Sequence, residues 1–230
     1  MISLIIPTYR NPEYLDLCLR SAIKQQWNDN EIIVAVDGFI EESNDVLEKY
    51  KDKIKILDLG ANQGMQTALN LAVMNATNEK ILIVNDDNVF CTKWDIVASK
   101  VQPGEVLTLN QIEPDGPGIF NFPVRDFGRT PDTFEYKLFL DHEMFTKSNE
   151  LTDDGGIFPF AMGFIRTHNA HLYHFGSTAT KNGKEGKMFK ATERPAAELF
   201  YYKWGISPQL FKNLSHNPKN KQTIKGIKFN

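Results

Sequence analysis

The sequence predicts an α/β fold: a Rossmann-like, mostly parallel sheet flanked by helices, in a single domain. Three observations predict it. Short apolar runs alternate with helical stripes through the first hundred residues, the links between them are short, and polar residues stand immediately after the apolar runs. Sheets of this kind bind ligands at the C-terminal ends of their strands.

"SLIIP" (3–7) reads as a buried strand closed by a proline. "NPEYLDLCLRSAIKQQ" (11–26) carries apolar residues at 14, 15, 17, 19, 22 and 23, a helical stripe with Asn11 as cap and Pro12 at the first helical position. "EIIVAV" (31–36) is a second strand ending at Asp37-Gly38. "EESNDVLEKYKD" (41–52) is a polar helix, "KIKILDL" (53–59) alternates as a strand does, "GMQTALNLAVMNAT" (64–77) is a helix, and "KILIV" (80–84) is a near-continuous apolar strand. The order β-α-β-α-β-α-β, with strands apolar on both faces, belongs to a parallel sheet with right-handed crossovers.

Bulk properties bound the function. The chain has 230 residues, 41% hydrophobic and 24% charged, with a net charge of -3. That balance suits a globular protein and excludes a general nucleic-acid binder, which needs a basic field. The two cysteines, Cys18 and Cys91, form neither a disulfide framework nor a metal-type cluster and read as packing residues. The apolar opening "MISLIIP" lacks the basic flank of a signal peptide. No segment approaches the ~18 apolar residues of a transmembrane span, so the expected location is cytoplasmic.

Four strand ends bring polar groups to one edge: Thr8-Tyr9-Arg10, Asp37, Asn62 and Asn85-Asp86-Asp87. Turn formers alone account for Asp37 or Asn62. Adjacent carboxylates at the end of a buried strand are different, because they repel each other and resist burial. Something positive is expected beside Asp86 and Asp87.

These stretches carry a resemblance. "SLIIPTYRNPEYLDLCLRSAIKQ", "EIIVAVDG" and "NQGMQTALNLAVMNATNEKILIVNDDN" resemble the opening strand and helix, the second strand and the Asp-x-Asp segment of family 2 glycosyltransferases with the GT-A fold, over roughly residues 2 to 90. The resemblance implies an enzyme that moves a sugar from a nucleotide-sugar donor to the hydroxyl of a glycan or other acceptor, inverting the anomeric centre, with Mn2+ or Mg2+ as cofactor. It implies a nucleotide-binding half over about 1–100 and an acceptor half over about 101–230. Pro7, Thr8, Tyr9, Arg10, Asp37, Asn62, Gly64, Asn85 and Asp86 then hold the donor, and Asp87 holds the metal. Two positions depart from the pattern: Val36 stands where the second strand often has an Asp, and Asn85 replaces the first Asp of the triplet. A dication bridging diphosphate oxygens stabilises charge on the leaving group, and hard cations take one or two carboxylates plus substrate oxygens.

The second half is sparser. "AHLYHFGSTATK" (170–181) resembles the family's Tyr-His-x-Gly-Ser strand end, which makes His174 a second metal ligand; an imidazole suits Mn2+ better than Mg2+. His168 and His171 lack that context and read as structural. The resemblance implies a general base in an acidic pair at a helix start, a little over twenty residues before the His; Asp153-Asp154 takes that place, with Asp154 standing 20 residues before His174, and Asp141 in "LFLDHEMF" is the alternative. The pair also suits a cap or a turn before Gly155-Gly156. "TATKNGKEGKMFKATER" (178–194) reads as a lid with Lys181, Lys184 or Lys187 near the diphosphate, or as a solvated face. Tyr201, Tyr202 and Trp204 belong to an aromatic helix that packs as core or stacks on an acceptor sugar. The tail, with Lys219, Lys221, Lys225 and Lys228, is a surface for peripheral membrane contact or an anionic partner. Two alternatives stay open: a nucleotidyltransferase making sugar nucleotides, although "PTYRNPE" lacks the Gly-rich loop of that class, and a catalytically degenerate domain that binds glycans or a partner.

Overall fold

A strand buried on both faces sends alternate side chains to opposite layers. β1 (Ser3–Thr8) does this along its whole length, since all six residues are buried. The computed structural model describes residues 1–103, 105–115, 124–153, 163–175 and 198. In chain order it continues with α1 (Pro12–Gln25), β2 (Glu31–Val36), α2 (Asn44–Tyr50), β3 (Lys55–Asp58), α3 (Met65–Met74) and β4 (Ile81–Ile83). The strand order is β3-β2-β1-β4 and every pairing is parallel, with Ile5 opposite Ile33 on one side and Ile83 on the other. The GT-A-type α/β class expected from the sequence is the class observed.

The layers follow the period of two. Leu4, Ile6, Ile32, Val34 and Val36 pack with Leu15, Cys18, Leu19 and Ala22 of α1. Ile5, Ile33 and Ala35 face the other way and meet Ala68 and Ala72 of α3. Two alanines four residues apart give α3 a small-residue stripe that lets it lie close to the sheet. Cys18 and Cys91 are buried and free, as packing residues should be.

Several boundaries differ from the sequence reading. The polar helix begins with a 3-10 turn, Ile40–Ser43, before α2. The third strand is shorter than 53–59, and α3 stops at Met74, where Asn75 donates its side-chain amide to the Leu71 carbonyl at 2.9 Å. Asn11 stands at the start of α1 but its side chain makes no capping bond. It is used elsewhere, as described below.

After β4 the chain forms β5 (Asn88–Phe90), α4 (Trp94–Ala98), β6 (Glu105–Ile112), α5 (Tyr136–Thr146), β7 (Leu151–Asp153) and β8 (Gly163–His174). A second sheet has the order β5-β8-β6, with β7 beside β8. The chain divides into two compact units. One comprises Met1–Val101, Leu109–Leu151 and the described residues between Thr167 and Ala179; the other draws on Gln102–Thr108, Thr152–Arg166 and Glu198. All the geometry that follows lies in the first.

Asp95 of α4 ties the loop between α1 and β2. Its carboxylate accepts from the Trp27 and Asn28 backbone amides at 2.8 and 2.9 Å and from the Asn28 and Asn30 side chains at 2.9 and 3.0 Å. Burial alone would raise this carboxyl, but the amide donors outweigh it and hold it below the ordinary value. A depressed folded value means the contribution is complete above the unfolded aspartate pKa, ~3.9, and is lost as pH falls through the lower folded value. Asp95→Ala is expected to cost about 3 kcal/mol at pH 7. Urea unfolding at pH 7 and pH 3 checks this: the gap between wild type and variant should narrow at the lower pH.

Candidate active site

In the order β3-β2-β1-β4 the chain runs outward from β1 to β3, then returns to the far side of β1. The reversal lies between β1 and β4, and such a switch point opens a crevice at the strand ends. Thr8 ends β1, and Asn85-Asp86-Asp87 follows β4. The triplet therefore stands at the crevice.

Asp86 is buried, and its two oxygens are held from across the switch point. Thr8 Oγ1 donates to Oδ2 at 2.7 Å, and Asn11 Nδ2 donates to Oδ1 at 3.0 Å. This is why Asn11 does not cap α1. Burial pushes the Asp86 carboxyl up to about 7; Thr8, Asn11 and the Tyr9 backbone pull the other way, while the Asp87 charge adds to the rise. Asp86 thus links the ends of β1 and β4 through neutral donors.

Asp87 stands beside an imidazole. His174 Nε2 lies 3.2 Å from Asp87 Oδ1, with both residues buried. The strand register brings them together: β5 pairs antiparallel with β8, Asn88 stands opposite His174, and the Phe175 amide donates to the Asp87 carbonyl at 3.3 Å. Burial would lower the His174 pKa, but Asp87 and then Glu113 outweigh it, so the net shift is upward. On its far edge, His174 Nδ1 lies 2.8 Å from Glu113 Oε1. The Gln111 amide stands 2.9 Å from the same ring nitrogen and donates to Glu113 Oε1 at 2.6 Å.

The remaining strand ends are also organised. Asp37 is buried and accepts from the Gln63 and Gly64 backbone amides at 2.6 and 3.0 Å, which fixes the loop leading into α3. Gly38 has φ +89°, and a Cβ there would stand 2.8 Å from the Asn62 backbone nitrogen. Gly38→Ala is expected to cost about 1–3 kcal/mol through that close approach and the left-handed backbone, measurable by equilibrium denaturation. Tyr9 meets Phe39 edge to face at 5.9 Å. Arg10 pairs with Glu42 at 3.0 Å and lies 4.6 Å over the Phe39 ring. Pro7 lies within β1 opposite Ala35, Asn62 and Asn85 are exposed, and Gly64 has φ +89° at the head of α3.

The base candidates stand apart from this description. Asp141 is on α5 and pairs with Lys137 at 2.5 Å. Asp153 ends the strand β7, where a helix start was expected, and Asp154 lies outside the described residues. Lys181, Lys184, Lys187, Tyr201, Tyr202, Trp204 and the lysines of the tail also lie outside them. His171 fits its structural reading: it bridges Asn110 and Thr146 at 3.0 Å each, and burial, with His142, His168 and Lys147 adding, pushes it down to about 4.

Sequence reading missed Asn11 as the partner of Asp86, and Gln111 and Glu113 as partners of His174. The last two are legible in retrospect. They stand two apart at the end of an alternating run, so they share a face. Among the described residues, no three His, Cys, Asp or Glu side chains form a group that could hold a metal by themselves.

The first hundred residues are similar to known proteins. Residues 3–100 match the family model for Glycosyl transferase family 2. An uncharacterised glycosyltransferase of Nostoc sp. is 36% identical over 93 residues, 39% of this chain and 29% of that protein. Glycosyltransferase GlyG of Streptococcus pneumoniae is 27% identical over 92 residues, 39% of this chain and 31% of that protein. The chain thus spans under a third of these relatives. Among solved structures, residues 1–349 of S. aureus TarS superpose with a TM-score of 0.52 at 18% identity, covering 94% of this chain and 69% of that one, a likeness of fold. Among the described residues no helix is long and apolar enough to cross a membrane. The stretch that matches the family 2 glycosyltransferase model, residues 3–100, is carried on a GT-A-type sheet with its acidic triplet at the switch point.

Proposed function

We propose that the protein is a glycosyltransferase that moves a sugar from a nucleotide-sugar donor to an acceptor hydroxyl, with inversion and with a divalent cation. The observation that carries this is the placement of Asp87 and His174 beside each other, 3.2 Å apart, at the end of β4. The residues fit such a cation. One carboxylate and one imidazole, with diphosphate oxygens completing the shell, suit Mn2+ in particular. When bound, the ion would stabilise negative charge on the departing nucleoside diphosphate.

The protein's own groups do the rest. Thr8, Tyr9, Arg10, Asn62 and Asn85 line the strand ends and receive the donor. Asp86 serves it indirectly, because its oxygens are taken by Thr8 and Asn11 and so fix the shape of the crevice. Asp37 fixes the 63–64 loop on which the base end of the nucleotide rests. An acidic side chain, Asp154 or Asp153 with Asp141 as alternative, removes the acceptor proton as the hydroxyl attacks from the opposite face. The acceptor is a glycan or other hydroxyl compound received by residues 101–230. The lysines of 178–194 serve the diphosphate, the basic tail serves an anionic surface, and the protein works in the cytoplasm.

A panel of nucleotide sugars, each with Mn2+, tests the reading. Since a bound ligand raises apparent stability by mass action, one donor should raise the melting temperature only with the metal and be slowly hydrolysed. UDP-GlcNAc, the ligand in a TarS complex, is a reasonable first member. Silence with every nucleotide would favour a binding module instead.

A further inference from the structure

We infer that Glu113 is a positioning residue: it holds the Nδ1 edge of His174 and so aims Nε2 at Asp87 and at the cation of the proposed transferase. The inference rests on that functional reading and names a residue to which the sequence assigned no role. The register Asn88 opposite His174 fixes where the histidine backbone stands, but not which ring nitrogen faces Asp87. A half-turn of the imidazole about its second side-chain torsion would exchange the two edges. What selects between them is the 2.8 Å approach of Glu113 Oε1 to Nδ1. A carboxylate is only an acceptor, so with a cation on the Nε2 side the ring proton belongs on Nδ1, and the Nε2 lone pair is left for the metal.

Glu113 is itself held, which a positioning residue requires. Its carbonyl accepts the Arg125 amide at 2.9 Å, and it bridges Val124 in a parallel pairing just past β6. The Gln111 amide donates to the same Oε1 at 2.6 Å. Backbone and carboxylate are thus both fixed, and the imidazole is clamped between Glu113 on one edge and Asp87 on the other. Carboxylates behind a metal-bound histidine set its tautomer and orientation, and their loss weakens metal affinity ~10–100-fold.

The test is Mn2+ alone titrated into the full chain, followed by the electron paramagnetic resonance signal of the free ion. Glu113→Ala should weaken binding ~10–100-fold. Glu113→Gln keeps a carbonyl acceptor for Nδ1–H and should lose less than Glu113→Ala, while Asp87→Ala and His174→Ala should lose binding altogether. If Glu113→Ala and Glu113→Gln bind as wild type while Asp87→Ala does not, this inference is overturned and the metal site stands. If Asp87→Ala and His174→Ala also bind as wild type, the metal-site reading has failed and this inference fails with it. A second readout needs no variant. Nitrogen-15 NMR of the protein loaded with Zn2+, a diamagnetic stand-in, should show the His174 proton on Nδ1; a proton on Nε2 with the ion bound would contradict the assignment.

Discussion

Asp87→Ala is expected to lower sugar transfer at least ~10³-fold while the protein stays folded. The reasoning is one of magnitudes. A cation that meets charge developing on a leaving group supplies several kcal/mol, and each ~1.4 kcal/mol is a factor of ten in rate. Among the described residues Asp87 is the carboxylate beside His174 Nε2, so its removal takes away one of the two side chains that would hold the ion. The fold should tolerate the change. The core around β1, β2, α1 and α3 does not use the Asp87 side chain, and its removal also relieves repulsion on Asp86. Product formation with the donor identified from the panel, together with a melting curve in EDTA, separates loss of chemistry from loss of fold. Transfer at the wild-type rate would show that the metal assignment is wrong.

Asp86 carries the second large effect, and it is a matter of pH. Its folded pKa of about 7 lies well above an ordinary aspartate, with burial as the main cause. A raised carboxylate pKa means that the folded state holds a proton that the unfolded chain has released. The resulting stability is complete below the unfolded value, ~3.9, and is lost as pH rises from there through the folded value. Metal-free wild-type protein should therefore lose stability between pH 4 and 7, by a few kcal/mol in order of magnitude. Asp86→Asn, which removes the titration and keeps an acceptor for Thr8 or Asn11, should flatten that part of the curve. Guanidinium unfolding in EDTA at pH 4, 5.5 and 7 reads this directly. A slope unchanged in the variant would place the titrating group elsewhere.

How far the sequence could be read depended on how local the cause was. β1 and β2 are apolar runs whose burial is decided by composition, and they formed where the pattern put them; β4 formed there too, but it is only half-buried, with Ile83 exposed. α1 was legible from its stripe and from Pro12. The boundaries that shifted, at α2, β3 and α3, are polar or weakly periodic segments. There a side-chain bond such as Asn75 to Leu71, rather than the pattern, decides the end. The acidic triplet was legible as a paradox, two carboxylates driven toward a core. Its resolution was not, because it depends on long-range pairing. Asn11 reaches Asp86 across 75 positions, and His174 reaches Glu113 across 61. His174 itself was found through a resemblance. Glu113 carried no such signal, and its role follows only once β6 and β8 are neighbours.

The most direct test of the central claim is a crystal of the full chain soaked with MnCl2 and UDP, measured at a wavelength where manganese scatters anomalously. The account predicts an anomalous peak bonded to an Asp87 carboxylate oxygen, to His174 Nε2 and to a diphosphate oxygen, with Glu113 still on Nδ1. UDP in the crevice with no anomalous density against Asp87, or manganese held elsewhere on the chain, would contradict it.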